Sequence, residues 1–177
     1  VNAGLGSRAN AVSEVEYING NERSEMGALR ARNGHAEPWR VSFWGVGNEM
    51  YGSWQLGNVP LSDYVKRHTE FVDAMRAVDP NIKIIGVGAA GEWSRAMLTD
   101  CADRLNLLSE HVYWQGQEGM LSHVKQAPDS LRRIADAHRE REPVTVDVFG
   151  DPARVPLRGA RVARHRAHVA TGREHRL

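Results

Sequence analysis

Short apolar runs alternate with longer segments of helical periodicity through most of this chain, and the alternation limits the folds open to it. Four runs are typical of buried strands, at 41–46, 82–87, 107–113 and 144–148. The predicted helices between and before them carry the following side chains on one face: Ala11, Val15 and Ile18; Tyr64, His68, Phe71, Met75 and Val78; Trp93, Met97 and Cys101; Leu131, Ile134 and His138. Ser62 is predicted to cap the second helix and Asp79-Pro80 to end it.

Strands separated by single helices pair in parallel, which favours an α/β fold, either a doubly wound sheet or a (β/α)8 barrel. The strand count favours an incomplete barrel. A whole barrel needs eight strands and about 250 residues, whereas this chain has 177 residues and four predicted strands. Residues 1–150 are therefore predicted to form part of a (β/α)8 barrel with two unpaired sheet edges.

The last residues form a second kind of sequence. Seven of the 26 residues from Pro152 to Leu177 are Arg and none is Lys, and they follow neither strand nor helical periodicity. A basic tail can bind nucleic acid, but this one has no aromatic side chain for base stacking. We predict that residues 151–177 are a disordered, non-native tail, because wrong-frame translation of GC-rich DNA gives Arg- and Ala-rich sequence.

Composition excludes several classes of protein. The net charge of +1 predicts no particular partner, and no nucleic-acid partner is expected; Cys101 alone supports neither a disulfide framework nor a cysteine zinc site. The apolar runs are far shorter than the roughly 20 residues that cross a bilayer, so no membrane association is expected. The chain starts with Val1 in place of Met, which indicates a processed or truncated protein.

Parallel α/β folds place their chemistry at the carboxyl ends of strands. Three groups follow predicted strands here: Asn48-Glu49, the glycine-rich turn 86–91, and His111 with Tyr113. The turn 86–91 fits the dinucleotide fingerprint G-x-G-x-x-G, and Glu110 follows about twenty residues later, where a ribose-binding acid is expected. Glu92 disfavours this interpretation, because it adds negative charge where a pyrophosphate would bind.

Asn48-Glu49 has the aromatic neighbours Trp44, Tyr51 and Trp54. Aromatic faces stack on sugar rings, and a carboxyl in a partly apolar pocket is expected to have a raised pKa, as a general acid needs. The alternative is structural, since an Asn-Glu pair can also cap a following helix.

The segment from Trp44 to Gly57 is similar to the signature W-G-x-G-N-E-M-x-G-x-W-Q-x-G of family 51 α-L-arabinofuranosidases. Further segments resemble the same family in the same order, over roughly residues 1–147: Val1-Asn2-Ala3-Gly4, Val15 to Gly20, Leu29-Arg30, Asn33 to Pro38, Val78-Asp79-Pro80, Gly91 to Ser94, Leu108 to Trp114 and Ile134 to Arg139. The resemblance implies a clan A barrel, of which this chain would hold about strands three or four to seven.

Carried over to this sequence, the resemblance implies that Glu49 is the acid/base and that Asn48 binds the sugar 2-hydroxyl. Tyr113 would contact the nucleophile. His111 is either a substrate contact or a packed barrel histidine, and Trp54 either lines the sugar pocket or packs beneath a loop. The family's nucleophile lies in an Asp-Glu-Trp motif, which the stretch 144–151 lacks.

Without a nucleophile we expect the chain to be inactive alone, since a retaining glycosidase needs a second carboxylate about 5 Å from the first. The implied activity is double-displacement removal of terminal α-L-arabinofuranosyl groups from arabinan, arabinoxylan or their oligosaccharides, with no metal or organic cofactor. The resemblance to bacterial members implies a cytoplasmic enzyme that is homo-oligomeric at full length. A dinucleotide-binding domain built on residues 86–91 and a non-catalytic sugar-binding module stay open as alternatives.

Overall fold

The computed structural model describes residues 1–141. Five helices and three strands follow one another in this range: α1 (Arg8–Asn19), α2 (Glu25–Arg32), β1 (Phe43–Gly45), α3 (Leu61–Val78), β2 (Lys83–Val87), α4 (Glu92–Asp100), β3 (Leu107–Ser109) and α5 (Met120–Arg141). Within the described range no helix has the length and apolar character to cross a membrane. The predicted strand 144–148 and the Arg-rich tail lie outside the described residues.

The strands form one parallel sheet in the order β1-β2-β3, which confirms the predicted α/β class with parallel pairing. Val1 extends the sheet beyond β1. Its amino group donates to the Gly45 carbonyl at 2.6 Å, and the Gly47 amide donates to the Val1 carbonyl at 3.1 Å. This exchange is the hydrogen-bond pattern of a parallel pair. Four neighbouring strand positions therefore run in the same direction.

Helices α1 and α3 cover one face of the sheet. The predicted helical positions Val15, Phe71 and Met75 pack with the strand residues Trp44 and Ile84 in one buried cluster. A second cluster lies further along the sheet, where helix α4 packs, and contains Tyr64, Val87, Met97, Cys101 and Leu105. Burial of these apolar faces, rather than helix propensity, holds the helices against the sheet.

The sequence did not predict helix α2. Ser24 caps it by accepting a hydrogen bond from the Gly27 amide, and its buried residues are Gly27 and Arg30. The Arg30 guanidinium is fully buried and donates to four backbone carbonyls, those of Tyr17, Gly20, His35 and Ala36. A helix that buries glycine and arginine has no apolar stripe, and so its periodicity cannot be detected.

Predicted boundaries were wrong at three elements, the first of which is β1, where the strand is Phe43–Gly45 instead of 41–46. Ser62 lies inside helix α3, whose N-cap is Pro60 and makes no side-chain cap bond. The third strand ends at Ser109 instead of Tyr113, so His111 and Tyr113 lie in the segment that follows it. That segment leaves the sheet at the edge where the functional side chains meet.

Candidate active site

The chain turns sharply after β1 to bring Glu49 to the carboxyl end of the sheet. Gly47 has a φ of 84° and Glu49 a φ of 43°. Positive φ is ordinary for glycine but costs energy for a glutamate, and such residues cluster at active sites. The Gly52 amide donates to the Glu49 carbonyl at 2.7 Å and closes the turn. The backbone is therefore held in a strained form that aims this carboxylate.

Both oxygens of the Glu49 carboxylate accept hydrogen bonds. His111 Nδ1 lies 2.7 Å and the Tyr113 hydroxyl 3.0 Å from Oε1. The Trp54 indole N–H donates to Oε2 at 2.6 Å. Glu49 is 6% exposed, so these bonds form at the edge of the protein interior, where charge-assisted hydrogen bonds are strong. The structure thus brings together four of the five residues singled out from the sequence.

These donors control the ionisation of the site. Hydrogen bonds from His111 and then Trp54 lower the pKa of Glu49, and together they outweigh the opposing effect of burial. The expectation of a raised pKa was wrong for this arrangement, because polar donors rather than apolar side chains surround the carboxylate. Glu49 in turn raises the pKa of the Tyr113 phenol. Since an ionised carboxylate only accepts, the Nδ1 atom of His111 must carry the proton.

Asn48 does not take part in this hydrogen-bonded cluster. It is exposed, and no hydrogen bond to its side chain is found within residues 1–141. With the segment 1–4 and with Gln55 and Leu56 it lines an open cleft of about 440 Å³, a volume within the range of small-ligand pockets. The alternative in which Asn48-Glu49 caps the next helix was wrong, because helix α3 begins only at Leu61.

Trp54 stands beside the carboxylate and is 68% exposed. Its ring meets Tyr51 edge-on, with centroids 6.0 Å apart. The indole is thus both a hydrogen-bond donor to Glu49 and an accessible apolar surface at the mouth of the site. Tyr113 is likewise 78% exposed, so a bound sugar would meet two aromatic rings next to the carboxylate.

The glycine-rich turn 86–91 does not offer an open anion site. The Ala89 amide donates to Ser94 Oγ at 2.9 Å, and the Ala90 amide donates to Glu110 Oε2 at 3.0 Å. A carboxylate therefore already occupies the position at the start of helix α4 that a pyrophosphate would need. This geometry argues against the dinucleotide interpretation. In residues 1–141 no group of three or more acidic, His or Cys side chains is arranged to hold a metal ion.

The sequence did not predict the cluster that Ser94, Glu110 and His138 form next to this turn. The dinucleotide interpretation assigns Glu110 to a ribose, and the helical pattern assigns His138 to one face of a helix. The signal in the sequence was Glu110 at the end of a strand and His138 at a helical position whose face otherwise carries Leu131 and Ile134.

Residues 6–133 match the family described as the alpha-L-arabinofuranosidase 1 domain, and the chain belongs to this family. Its curated relatives include the intracellular exo-alpha-(1->5)-L-arabinofuranosidase of Streptomyces lividans, 31% identical over 126 residues. That match covers 67% of this chain and 19% of the relative. The exo-alpha-(1->6)-L-arabinofuranosidase of Bifidobacterium longum is 30% identical over 139 residues, which are 75% of this chain and 25% of the relative.

Solved structures of α-L-arabinofuranosidases also match this chain. The arabinose complex of alpha-L-arabinofuranosidase from Thermotoga maritima superimposes with a TM-score of 0.70 at 33% identity, over 79% of this chain and 30% of that one. The GH51 alpha-L-arabinofuranosidase of Thermotoga petrophila matches equally well. The present chain therefore spans about a fifth to a third of the length of the relatives it matches.

Proposed function

We propose that this chain supplies the acid/base side of the active site of a retaining α-L-arabinofuranosidase, with Glu49 as the group that gives and takes the proton. The single observation that supports it most is the Glu49 carboxylate itself. It follows a parallel strand in a strained turn and accepts hydrogen bonds from His111, Tyr113 and Trp54. Structural relatives at 33% identity are named α-L-arabinofuranosidases.

In the proposed reaction Glu49 acts twice. In the first step its proton passes to the glycosidic oxygen as the bond to the sugar C1 breaks, while a second carboxylate attacks C1 and forms a glycosyl ester. In the second step Glu49 takes a proton from water as the water oxygen attacks C1 and the ester bond breaks. The sugar leaves with its original configuration.

The lowered pKa of Glu49 suits the second of these steps. None of the charges that act on Glu49 within residues 1–141 comes from an acidic side chain. An ionised nucleophile about 5 Å away would raise the pKa of Glu49 by like-charge repulsion and so favour the protonated form needed for the first step. Neutralisation of the nucleophile in the glycosyl ester would remove that repulsion and restore the basic form.

We infer that the nucleophile comes from outside residues 1–141. The four parallel strand positions at Val1, β1, β2 and β3 fit an arc of a (β/α)8 barrel, in which side chains from several strand ends converge on one site. The stretch 144–151, which lacks an Asp-Glu-Trp motif, lies beyond the described residues. We therefore keep the prediction that the chain alone does not turn over substrate.

The other site residues have distinct proposed roles. Asn48, exposed in the cleft and adjacent to Glu49 in the sequence, would bind the sugar 2-hydroxyl. His111 and Tyr113 would orient the carboxylate and contact the substrate, and Trp54 would offer its exposed ring to the sugar. Each role rests on the observed position together with the family resemblance.

The names of the relatives support a proposal for the substrate class. Their names specify exo-acting enzymes on (1->5)- and (1->6)-linked arabinofuranosyl groups, which supports terminal arabinofuranosyl groups of oligo- or polysaccharides as the substrate here. Relatives from Streptomyces lividans and Acetivibrio thermocellus are named intracellular, and this supports an intracellular location. Homo-oligomerisation at full length stays a prediction.

The test is hydrolysis of p-nitrophenyl α-L-arabinofuranoside by the purified chain and by the longest open reading frame that contains it. The expected result is turnover by the longer protein only, with loss of activity against a natural oligosaccharide in Glu49→Ala. Glu14→Ala is the matched control, since Glu14 is an exposed acid on helix α1. Absence of turnover in both proteins would refute the catalytic proposal. Arabinose binding without turnover would favour a sugar-binding module.

A further inference from the structure

The segment that follows β3 carries two of the three donors to Glu49, His111 and Tyr113. It belongs to no helix or strand between the end of β3 and the start of α5. Within residues 1–141, the backbone of 111–118 makes no backbone–backbone hydrogen bond outside helices and strands. Something other than the sheet ladder must therefore fix the place of His111.

Glu110 is the residue that ties the start of this segment down. Its Oε1 atom accepts from Ser94 Oγ at 2.7 Å and lies 2.9 Å from His138 Nε2, and its Oε2 atom accepts from the Ala90 amide at 3.0 Å. Three different elements thus converge on one carboxylate: the turn after β2, helix α4 and helix α5. We call Ser94, Glu110 and His138 the Glu110 cluster.

The cluster and the site lie on opposite sides of the chain. Side chains of an extended segment alternate, so Glu110 reaches outward to α4 and α5 while His111 reaches inward to Glu49. The His138 side chain is 8% exposed and that of Glu110 is 17% exposed. Hydrogen bonds to a carboxylate are stronger at this depth than at the surface, because the local dielectric constant is lower. The backbone between the two side chains therefore has little freedom to rotate.

The backbone on the neighbouring strand reinforces this restraint. A side chain on Gly88 would collide with the Ser109 carbonyl and would come within 3.0 Å of Glu110 Oε1. The turn after β2 is thus packed directly against the end of β3, and Glu110 closes the contact. Glu110 immediately precedes His111 in the sequence.

We propose that the Glu110 cluster is a positioning device for His111, which holds the imidazole Nδ1–H on the Glu49 carboxylate. The inference rests on the proposed function only for the catalytic purpose of the restraint. The restraint itself is present in the protein without a substrate. Ser94, Glu110 and His138 are positioning residues and do not touch the substrate.

The test observes the imidazole of His111 directly. Long-range ¹H–¹⁵N NMR of the chain at about pH 8, where unperturbed histidines are neutral, reports which ring nitrogen carries the proton. His111→Gln assigns the signal among the eight histidines. The expected wild-type result is one fixed tautomer with the proton on Nδ1. In Glu110→Ala and His138→Leu the His111 signals should move to the averaged shifts of a free imidazole.

Two variants separate positioning from general loosening of helix α5. His138→Gln keeps an N–H donor for Glu110 and should retain the fixed His111 tautomer. Asp136→Asn removes the partner of Arg139 in an exposed pair on the same helix and should leave the His111 signal unchanged. A thermal melt of each variant shows which of them are folded, and if Glu110→Ala is not, the comparison of His138→Leu with His138→Gln decides.

An unchanged His111 signal in folded His138→Leu would overturn the proposal, and so would an equal change in Asp136→Asn. No sugar enters this experiment, so its outcome is independent of hydrolysis. A chain that shows the expected His111 response but whose longest reading frame does not hydrolyse an arabinofuranoside would refute the proposed function and leave the positioning role intact.

Discussion

Acid should destabilise this protein through one buried histidine. His68 on helix α3 is fully buried, and neither of its ring nitrogens has a hydrogen-bond partner within residues 1–141. Its ring meets Tyr64 edge-on, and a side chain added at Gly86 on β2 would contact His68 Nε2. Burial, and then the positive charge of Arg76, lower the pKa of His68 to about 4 from the ordinary 6.5.

The sign of the pH effect follows from the protonation of His68 in the unfolded and folded states. Between about pH 6.5 and pH 4 the unfolded chain binds a proton at His68 and the folded chain does not, so the free energy of unfolding falls as the pH falls. Linkage with these two pKa values gives a loss of about 2 kcal/mol by pH 5 and about 3 kcal/mol by pH 4. Above about pH 7.5 the group contributes no pH dependence.

Urea denaturation of wild type and His68→Leu at about pH 7.5 and pH 5 measures this loss. Leucine is apolar and has no nitrogen to leave unpartnered, so the variant should be more stable at the higher pH by about 1 kcal/mol and should lack the His68 part of the acid loss. His123→Gln, which changes an exposed histidine of helix α5, is the control and should behave as wild type. Equal pH dependence in wild type and His68→Leu would refute the reasoning.

Three further changes test other parts of the structure. Arg30→Lys should lower the free energy of unfolding by about 3 kcal/mol in urea denaturation, since lysine cannot serve the four carbonyls that the guanidinium binds; a change below about 1 kcal/mol would contradict this. Gly57→Ala should destabilise more than Gly34→Ala, because both have positive φ but only Gly57 has backbone in the space of the new side chain; equal melting temperatures would contradict it. Trp54→Phe removes a donor to Glu49, so the pKa of that carboxyl should rise in a ¹³C NMR titration, and an unchanged pKa would exclude the bond.

The sequence predicted those parts of the fold whose side chains are apolar on one face. Most of the periodic positions predicted for α1 and α3 are buried, while Ile18 and Val78 are half-buried, and β2 was found within one residue. Apolar burial is what a hydrophobic pattern encodes. Helix α2 was not predicted, because its buried residues are Gly27 and Arg30. It is stabilised by hydrogen bonds, which leave no apolar periodicity in the sequence.

The site was predictable in its residues but not in its electrostatics. Asn48-Glu49 follows a strand, and a local signature marks it. The direction of the Glu49 pKa shift depends most on His111, which lies 62 residues away in the sequence, and then on the nearby Trp54. The convergence of His111 on Glu49 needs a parallel sheet in a particular register and a short β3 that releases the chain after Ser109. The pattern of residues 107–113, with apolar and aromatic side chains up to Tyr113, predicts a longer strand.

The role of Glu49 is tested most directly by azide rescue of Glu49→Ala in the longest open reading frame that contains this chain. With p-nitrophenyl α-L-arabinofuranoside the leaving group needs little acid assistance, so the variant should form the glycosyl ester and then stall for want of a base. Azide is an anion and can attack without a base to remove a proton from it. Its nitrogen should attack C1 and release the nucleophile carboxylate, which restores turnover and gives α-L-arabinofuranosyl azide. Turnover that stays unchanged on adding azide, with no sugar azide formed, would contradict the assignment of Glu49 as the acid/base.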